Sequence, residues 1–404
     1  MRSPRSARRP TAALPVPVLL ALALLAPQLL TPRHPSAPAL GGSPAAAAYD
    51  ARAPRTWRVG PQRELATPSA AAAVARDGDT VLIDPGTYSG DVATWTQDDL
   101  TLRGDGGRAH LRADGRDAQG KAIWVVAGDR TTVDRIEFSG AAVPDRNGAG
   151  IRQEGTDLTV TRSWFHHNEN GILTGADPDS DVVVRDSRFF ANGAGDGYSH
   201  NLYVGAVRSL TVVGSWLSDA DTGHELKSRA ARNTIVANRI SDGDSTASYS
   251  IDLPEGGRSL VAGNVLVQGP RSENPALVAY GAEGLTHRSC TLWIVHNTFV
   301  NRRTSGTFVA SAEGSSVHLR NNLFVGPGEV GDRALRSRGD RRVDLSGFVA
   351  PGAEDFRLRP SSPAVDRAVG VPRRWRPRWE YVAPARAVRR PTAGRADLGA
   401  FELR

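Results

Sequence analysis

Three features of the 404-residue sequence predict an all-β solenoid. The first is a repeat in which a small polar residue, one spacer and a large apolar residue recur. It reads Ser163-Trp-Phe165, Ser187-Arg-Phe189, Ser215-Trp-Leu217, Asn238-Arg-Ile240, Asn264-Val-Leu266, Asn297-Thr-Phe299 and Asn322-Leu-Phe324, at intervals of 24, 28, 23, 26, 33 and 25 residues. The second is a β-rich triplet ahead of each unit, such as Leu158-Thr-Val160, Val182-Val-Val184, Leu210-Thr-Val212 or Leu292-Trp-Ile294, with no helical apolar pattern between. The third is frequent glycine with few aromatics, 42 and 6% respectively, as many short strands and turns require. The units lack both an amphipathic helix and a leucine framework, and two or three short strands are too few for a propeller blade. A right-handed parallel β-helix remains, in which equivalent residues of successive coils stack about 4.8 Å apart.

Taken in order, residues 1–48 carry Arg2, Arg5, Arg8 and Arg9, an apolar run around Leu14 to Leu30, and a small-residue stretch ending at Ala48. That order predicts an export signal, hence a secreted or periplasmic protein. The run is too short and too proline-broken to predict a membrane anchor. The β-helix is expected over 49–345. Within it Thr67 caps an alanine-rich helix to Arg76, with Pro68 in its first turn and Gly78 at its end, covering the open N-terminal coil. The repeat fades after Phe324, and 346–404 is expected to be an irregular C-terminal closing segment packed on the β-helix. The repeated Asn238, Asn264, Asn297 and Asn322 are expected to form an internal asparagine ladder at a turn.

The formal net charge of +7 is concentrated at the two ends. The leader holds five arginines and no acid, and 371–404 holds nine arginines against Glu380, Asp397 and Glu402, so the body is slightly acidic. A nucleic-acid partner is therefore not expected. With Cys290 alone, no intrachain disulfide forms. A monomer is expected.

The unusual chemistry clusters between Tyr198 and Glu255. Strand alternation turns Ile151, Ile172, Leu202, Leu226, Ile251 and Leu277 inward, which stacks Arg152, Leu173, Tyr203, Lys227, Asp252 and Val278 on the outer face. His200, Asn201, His224, Glu225 and Arg229 are expected beside them. Only Lys121 and Lys227 are lysines among the 50 basic residues. An ammonium loses its proton when neighbouring cations or burial lower its pKa, whereas a guanidinium does not. This marks Lys227, close to Arg229, as a candidate general base, against the plainer alternative of an ion pair with Asp252. Arg152, Glu154 and Glu255 would extend the groove for substrate. Glu225, Asp252 and Glu255 also suit a calcium ion or a sugar hydroxyl. His166 and His167 sit in a turn, with no third metal ligand at zinc spacing.

The stretch Glu225-Leu-Lys-Ser-Arg-Ala-Ala-Arg-Asn-Thr-Ile-Val-Ala-Asn238 resembles the lysine-bearing coil of the chondroitinase-B and alginate lyase family, within the pectate-lyase-like superfamily. In that family a Lys-Ser pair precedes an Asn-x-Ile turn. The resemblance implies Lys227 as base and an acidic polysaccharide as substrate. Where the family places an arginine on the next coil, this chain has Asp252, followed by Leu253-Pro254-Glu255. Acid assistance then falls to Tyr203, His200 or Arg229. Asp355 to Asp366 together with Ala396 to Glu402 resembles the closing segment of exported bacterial β-helix proteins. The expected function is an exported polysaccharide lyase acting on a uronic-acid polymer by β-elimination. The alternatives are a C5 epimerase on the same polymer class, and a noncatalytic carbohydrate-binding or envelope β-helix.

Overall fold

The chain winds through three long parallel sheets of twelve, eleven and ten strands. Each coil gives one strand to each in turn, as in Leu158–Thr161, Trp164–His166 and Asn170–Thr174. This computed structural model describes residues 53–332, 335–391 and 394–404. The leader expected over 1–48 lies outside them. Among the described residues no helix is long and apolar enough to cross a membrane.

The sequence repeat is the signature of one corner, between the twelve- and eleven-stranded sheets. Arg162, Asp186, Ala237, His296 and Asn321 adopt left-handed backbone there, with φ between 49° and 58°. The small polar residue that follows each of them turns inward. Its backbone N–H is accepted by the equivalent side chain one coil on: Ser215 by Asn238 at 2.9 Å, Asn238 by Asn264 at 2.8 Å, Asn264 by Asn297 and Asn297 by Asn322 at 2.9 Å. Asp340 accepts the last one, from Asn322, at 2.7 Å. A buried N–H without a partner costs about 1–3 kcal/mol, so the ladder is what allows so tight a corner inside the protein. Behind it the apolar residues stack coil on coil. The Phe138, Phe165 and Phe189 rings lie nearly parallel at 5.0 and 4.7 Å.

At the N-terminal end the helix is shorter than expected, Pro68–Ala72, with Thr67 capping the Ala70 N–H. The Asp79 carboxylate takes the Arg76 N–H at 3.1 Å and leads the chain into the next strand instead. At the other end, two antiparallel pairs, Phe348–Ala350 with Asp355–Leu358 and Trp379–Val382 with Arg386–Arg389, fold back on the solenoid. Phe348, Phe356, Leu358 and Phe401 bury the outward Val265, Val267, Val300 and Val325. The arginine-rich tail is packed: Trp375 stacks on Trp293 at 5.4 Å, Arg390 pairs with Glu402 at 2.7 Å, and Arg404 pairs with Glu380 at 2.9 Å.

The ten-stranded sheet carries the candidate site. Its register pairs Ile151 with Ile172, Leu202 with Leu226, Tyr203 with Lys227 and Lys227 with Asp252, as the alternation predicts. One coil later the expected register is off by one: Ile251 pairs with Val278 and Asp252 with Ala279. Val278 therefore faces the core. Strand Ala276–Tyr280 is buried along its whole length, so its sequence carries no alternation to show which face points inward.

Candidate functional site

Three rows of side chains run up the coils here, each set by its distance from the inward Ile or Leu. The row two positions before that residue is Asn170, His200, His224 and Tyr249. Asn170 Oδ1 accepts the His200 N–H at 2.8 Å, His200 Nδ1 accepts the His224 N–H at 3.0 Å, and His224 Nδ1 accepts the Tyr249 N–H at 3.2 Å. The two imidazoles stack at 4.8 Å and 6°. Their burial holds both below the usual histidine range, His224 at about 3 with Lys227 adding to the effect. Each ring is neutral near pH 7, with its proton on Nε2 because Nδ1 is accepting.

This corrects the expectation for His200. Its one lone pair is taken by the next coil and its side chain is buried, so it is placed neither to give the leaving group a proton nor to act as a base. His224 is likewise a support: its Nε2 lies 3.3 Å from Asp252 Oδ2 and aims that carboxylate.

The next row, expected in the groove, is internal. Asn201 and Glu225 are both fully buried. Asn168, Asn192, Asn201 and Glu225 form a second ladder, in which Asn192 Nδ2 donates to Asn201 Oδ1 at 2.6 Å and Asn201 Nδ2 to Glu225 Oε2 at 2.5 Å. Glu225 also caps the Ala220 N–H at 2.9 Å. Burial, reinforced by the nearby Asp242, pushes the Glu225 carboxyl well above its ordinary range. Strand alternation begins only at Leu202 and Leu226, and the residue ahead of each belongs to the corner, where side chains turn inward. Neither Asn201 nor Glu225 can reach substrate.

The third row lies on the outer face of the sheet. Tyr203, Lys227 and Asp252 stack in that order, and Arg229 reaches back to give its Nε–H to the Tyr203 hydroxyl at 2.9 Å. Lys227 Nζ lies 3.3 Å from Asp252 Oδ2. Asp252 Oδ1 is buried with no hydrogen-bond partner, and burial, partly offset by Lys227, raises the Asp252 carboxyl to about 6.

Over this row lies Glu283, which the sequence reading did not single out. Its Oε1 is 2.8 Å from Lys227 Nζ and its Oε2 2.6 Å from Arg229 Nη2. Burial lowers the Lys227 pKa, but Glu283 and Asp252 outweigh it, and the net shift is upward, opposite to the expected direction. Lys227 is an ammonium in this state. Arg229 is also held charged against its burial, by Tyr203, Glu255 and Glu283. Glu255 accepts from Arg229 Nη1 at 2.7 Å and from Thr286 Oγ1 at 3.1 Å, which ties the 281–290 loop to the site. One signal could have found the loop. It lies in the 33-residue interval between Asn264 and Asn297, the longest of the repeat.

Arg152 and Glu154 stand apart. Arg152 is two coils from Tyr203 with Leu173 between, and Glu154 is engaged by Lys121 at 2.6 Å. The carboxylates proposed for calcium do not form a cage: Glu225 is internal, Asp252 faces Lys227 and His224, and Glu255 faces Arg229. The positive charge of the site comes from Lys227 and Arg229.

The fold is a right-handed parallel β-helix. The solved structure of pectate lyase Pel9A superposes with a TM-score of 0.64 at 16% identity, over 87% of this chain and 96% of that one. Looser similarity extends to an alginate lyase from Paenibacillus sp. str. FPU-7 (TM-score 0.46, 15% identity, 70% of this chain and 97% of that one). It extends also to the A-module of the Azotobacter vinelandii mannuronan C-5 epimerase AlgE6 (TM-score 0.45, 13% identity, 68% and 93%). No family model matches the chain. No curated protein matches it by sequence.

Proposed function

We propose that the chain is an exported polysaccharide lyase that cleaves a uronate-containing polymer by β-elimination at the Tyr203–Lys227–Arg229 centre. The observation that carries this reading is the pair of carboxylate contacts from Glu283. Lys227 and Arg229 together grip a carboxylate presented from outside the sheet, and a sugar carboxylate offers the same two oxygens.

When the polymer replaces Glu283, Arg229 holds the uronate carboxylate and withdraws charge from the carbon beside it. Lys227, in the amine form left when its ammonium proton passes to solvent, takes the C5 proton. The freed electron pair becomes the C4–C5 double bond as the C4–O bond breaks, and the Tyr203 hydroxyl proton passes to the departing oxygen. The Arg229 Nε–H on that hydroxyl stabilises the phenolate left behind. Asp252, aimed by His224, keeps the ammonium form of Lys227 within the site between turnovers. Arg152 and Glu154 would lie under more distant sugars of a chain running across the coils.

Proton NMR of the protein in heavy water with a panel of uronic polymers, with and without calcium, tests this reading. Vinyl signals that vanish in Lys227→Ala are the expected result. Deuterium at C5 without chain shortening would make the protein an epimerase. Binding without turnover in either form would make it a carbohydrate-binding module.

A further inference from the structure

The eleven-stranded sheet holds a second cluster that the groove does not use. Strands Ala109–Arg112, Ile136–Ser139 and Trp164–His166 are consecutive neighbours in it. They bring His110, Glu137 and His166 together, with their ligand atoms all within 4.8 Å of one another. His166 thus meets its two co-ligands from earlier coils, where no sequence spacing would reveal them.

We propose that His110 Nε2, Glu137 Oε1 and His166 Nε2 bind one divalent transition-metal ion, of which zinc is the natural probe. Two imidazoles and a single carboxylate oxygen are a donor set for zinc, not for calcium, which takes six or more oxygens. Zinc bonds of about 2.0–2.2 Å separate tetrahedral donors by roughly 3.3–3.5 Å. Glu137 Oε1 is 3.0 Å from His166 Nε2 and 3.9 Å from His110 Nε2, on either side of that value. All three side chains are partly exposed, so the ion has a way in.

The surroundings fit a ligand role. Arg108 approaches the other carboxylate oxygen, Oε2, at 3.8 Å and leaves Oε1 free. The Ser139 hydroxyl hydrogen-bonds His110 Nε2 at 2.7 Å in the metal-free site, a contact the ion would replace. His166 Nδ1 lies 2.8 Å from His167 Nδ1, so one proton is shared between the two rings. His167 is then the outer partner that orients a metal-bound imidazole.

The test is calorimetric titration of zinc into the untagged, chelator-treated full chain, with thermal unfolding followed in parallel. One ion per chain and a zinc-dependent rise in Tm are expected. Both should disappear in His166→Ala and in Glu137→Gln, whose zinc-free Tm is compared with that of the parent to verify folding. His167→Ala should weaken binding by about 10–100-fold without abolishing it. Cobalt in place of zinc should give visible ligand-field bands that His110→Gln removes. Absence of saturable binding in the parent chain would overturn the proposal, as would binding left unchanged in His166→Ala and His110→Gln.

Discussion

Replacing Glu283 by Gln should tighten substrate binding rather than weaken it. The carboxylate of Glu283 is nearly half exposed, while Lys227 and Arg229 beneath it are mostly covered. Partly exposed pairs of this kind contribute at most about 1 kcal/mol each, so the two contacts together amount to at most about 2 kcal/mol. A uronate must displace them before it can bind. Glu283→Gln should therefore lower KM, by at most about 30-fold. It also removes one of the two carboxylates that raise the Lys227 pKa, so the amine form becomes available at lower pH. The acidic limb of the kcat/KM profile should move to lower pH in the variant. Initial rates of double-bond formation on whichever polymer responds, taken across pH, would measure both effects. A fall in kcat with KM and the acidic limb unmoved would refute the reasoning, because Glu283 would then take part in the chemistry instead of competing with substrate.

Other expectations can be checked independently. Tyr203→Phe should depress kcat with little change in KM, whereas Arg229→Lys should raise KM, since a lysine cannot hold Tyr203, Glu255 and a substrate carboxylate together; steady-state kinetics separate the two. Asp242 is fully buried, which raises its carboxyl to about 7. Its folded pKa lies above its unfolded one, so the stability linked to its proton is complete below about pH 4 and is lost as pH rises through 7. Asp242→Asn, which can still accept the Gly269 N–H, should raise Tm at pH 8 more than at pH 5, by an amount equivalent to at most about 4 kcal/mol. Equal shifts at both pH values would refute this. Ala in place of Asn264 should lower Tm sharply, because it leaves the buried Asn238 N–H without its acceptor.

The solenoid was legible because its corner is chemically narrow: a left-handed residue, then a small polar side chain, then a core residue, repeated at similar intervals. The outer row was legible for a similar reason, since Leu202 and Leu226 set a period of two that places Tyr203 and Lys227. The residues just ahead of those strands were not. Nothing in the local sequence separates Asn201, turned inward as a ladder rung, from Tyr203, turned outward. The states of His200 and Lys227 were hidden too, because they are set by burial and by charged neighbours on other coils, Glu283 among them for Lys227. The His110–Glu137–His166 cluster was invisible for the same reason: its members meet only through stacking.

The corner ladder also has a direction. In the run from Ser163 to Asp340 each N–H points forward and is satisfied only by the coil made after it. A chain emerging N-terminus first therefore always presents one unfinished rung, which recruits the next coil of the same molecule as readily as an equivalent edge of another. Asp340 ends this. Its Oδ1 accepts both donors of Asn322, and its Oδ2 takes the Ser337 hydroxyl and the Arg338 N–H, so the acceptor of the last rung is held by the turn that carries it. The ladder thus closes on an acceptor that the same chain supplies, and its last forward-pointing N–H is not left open at the end of the spiral.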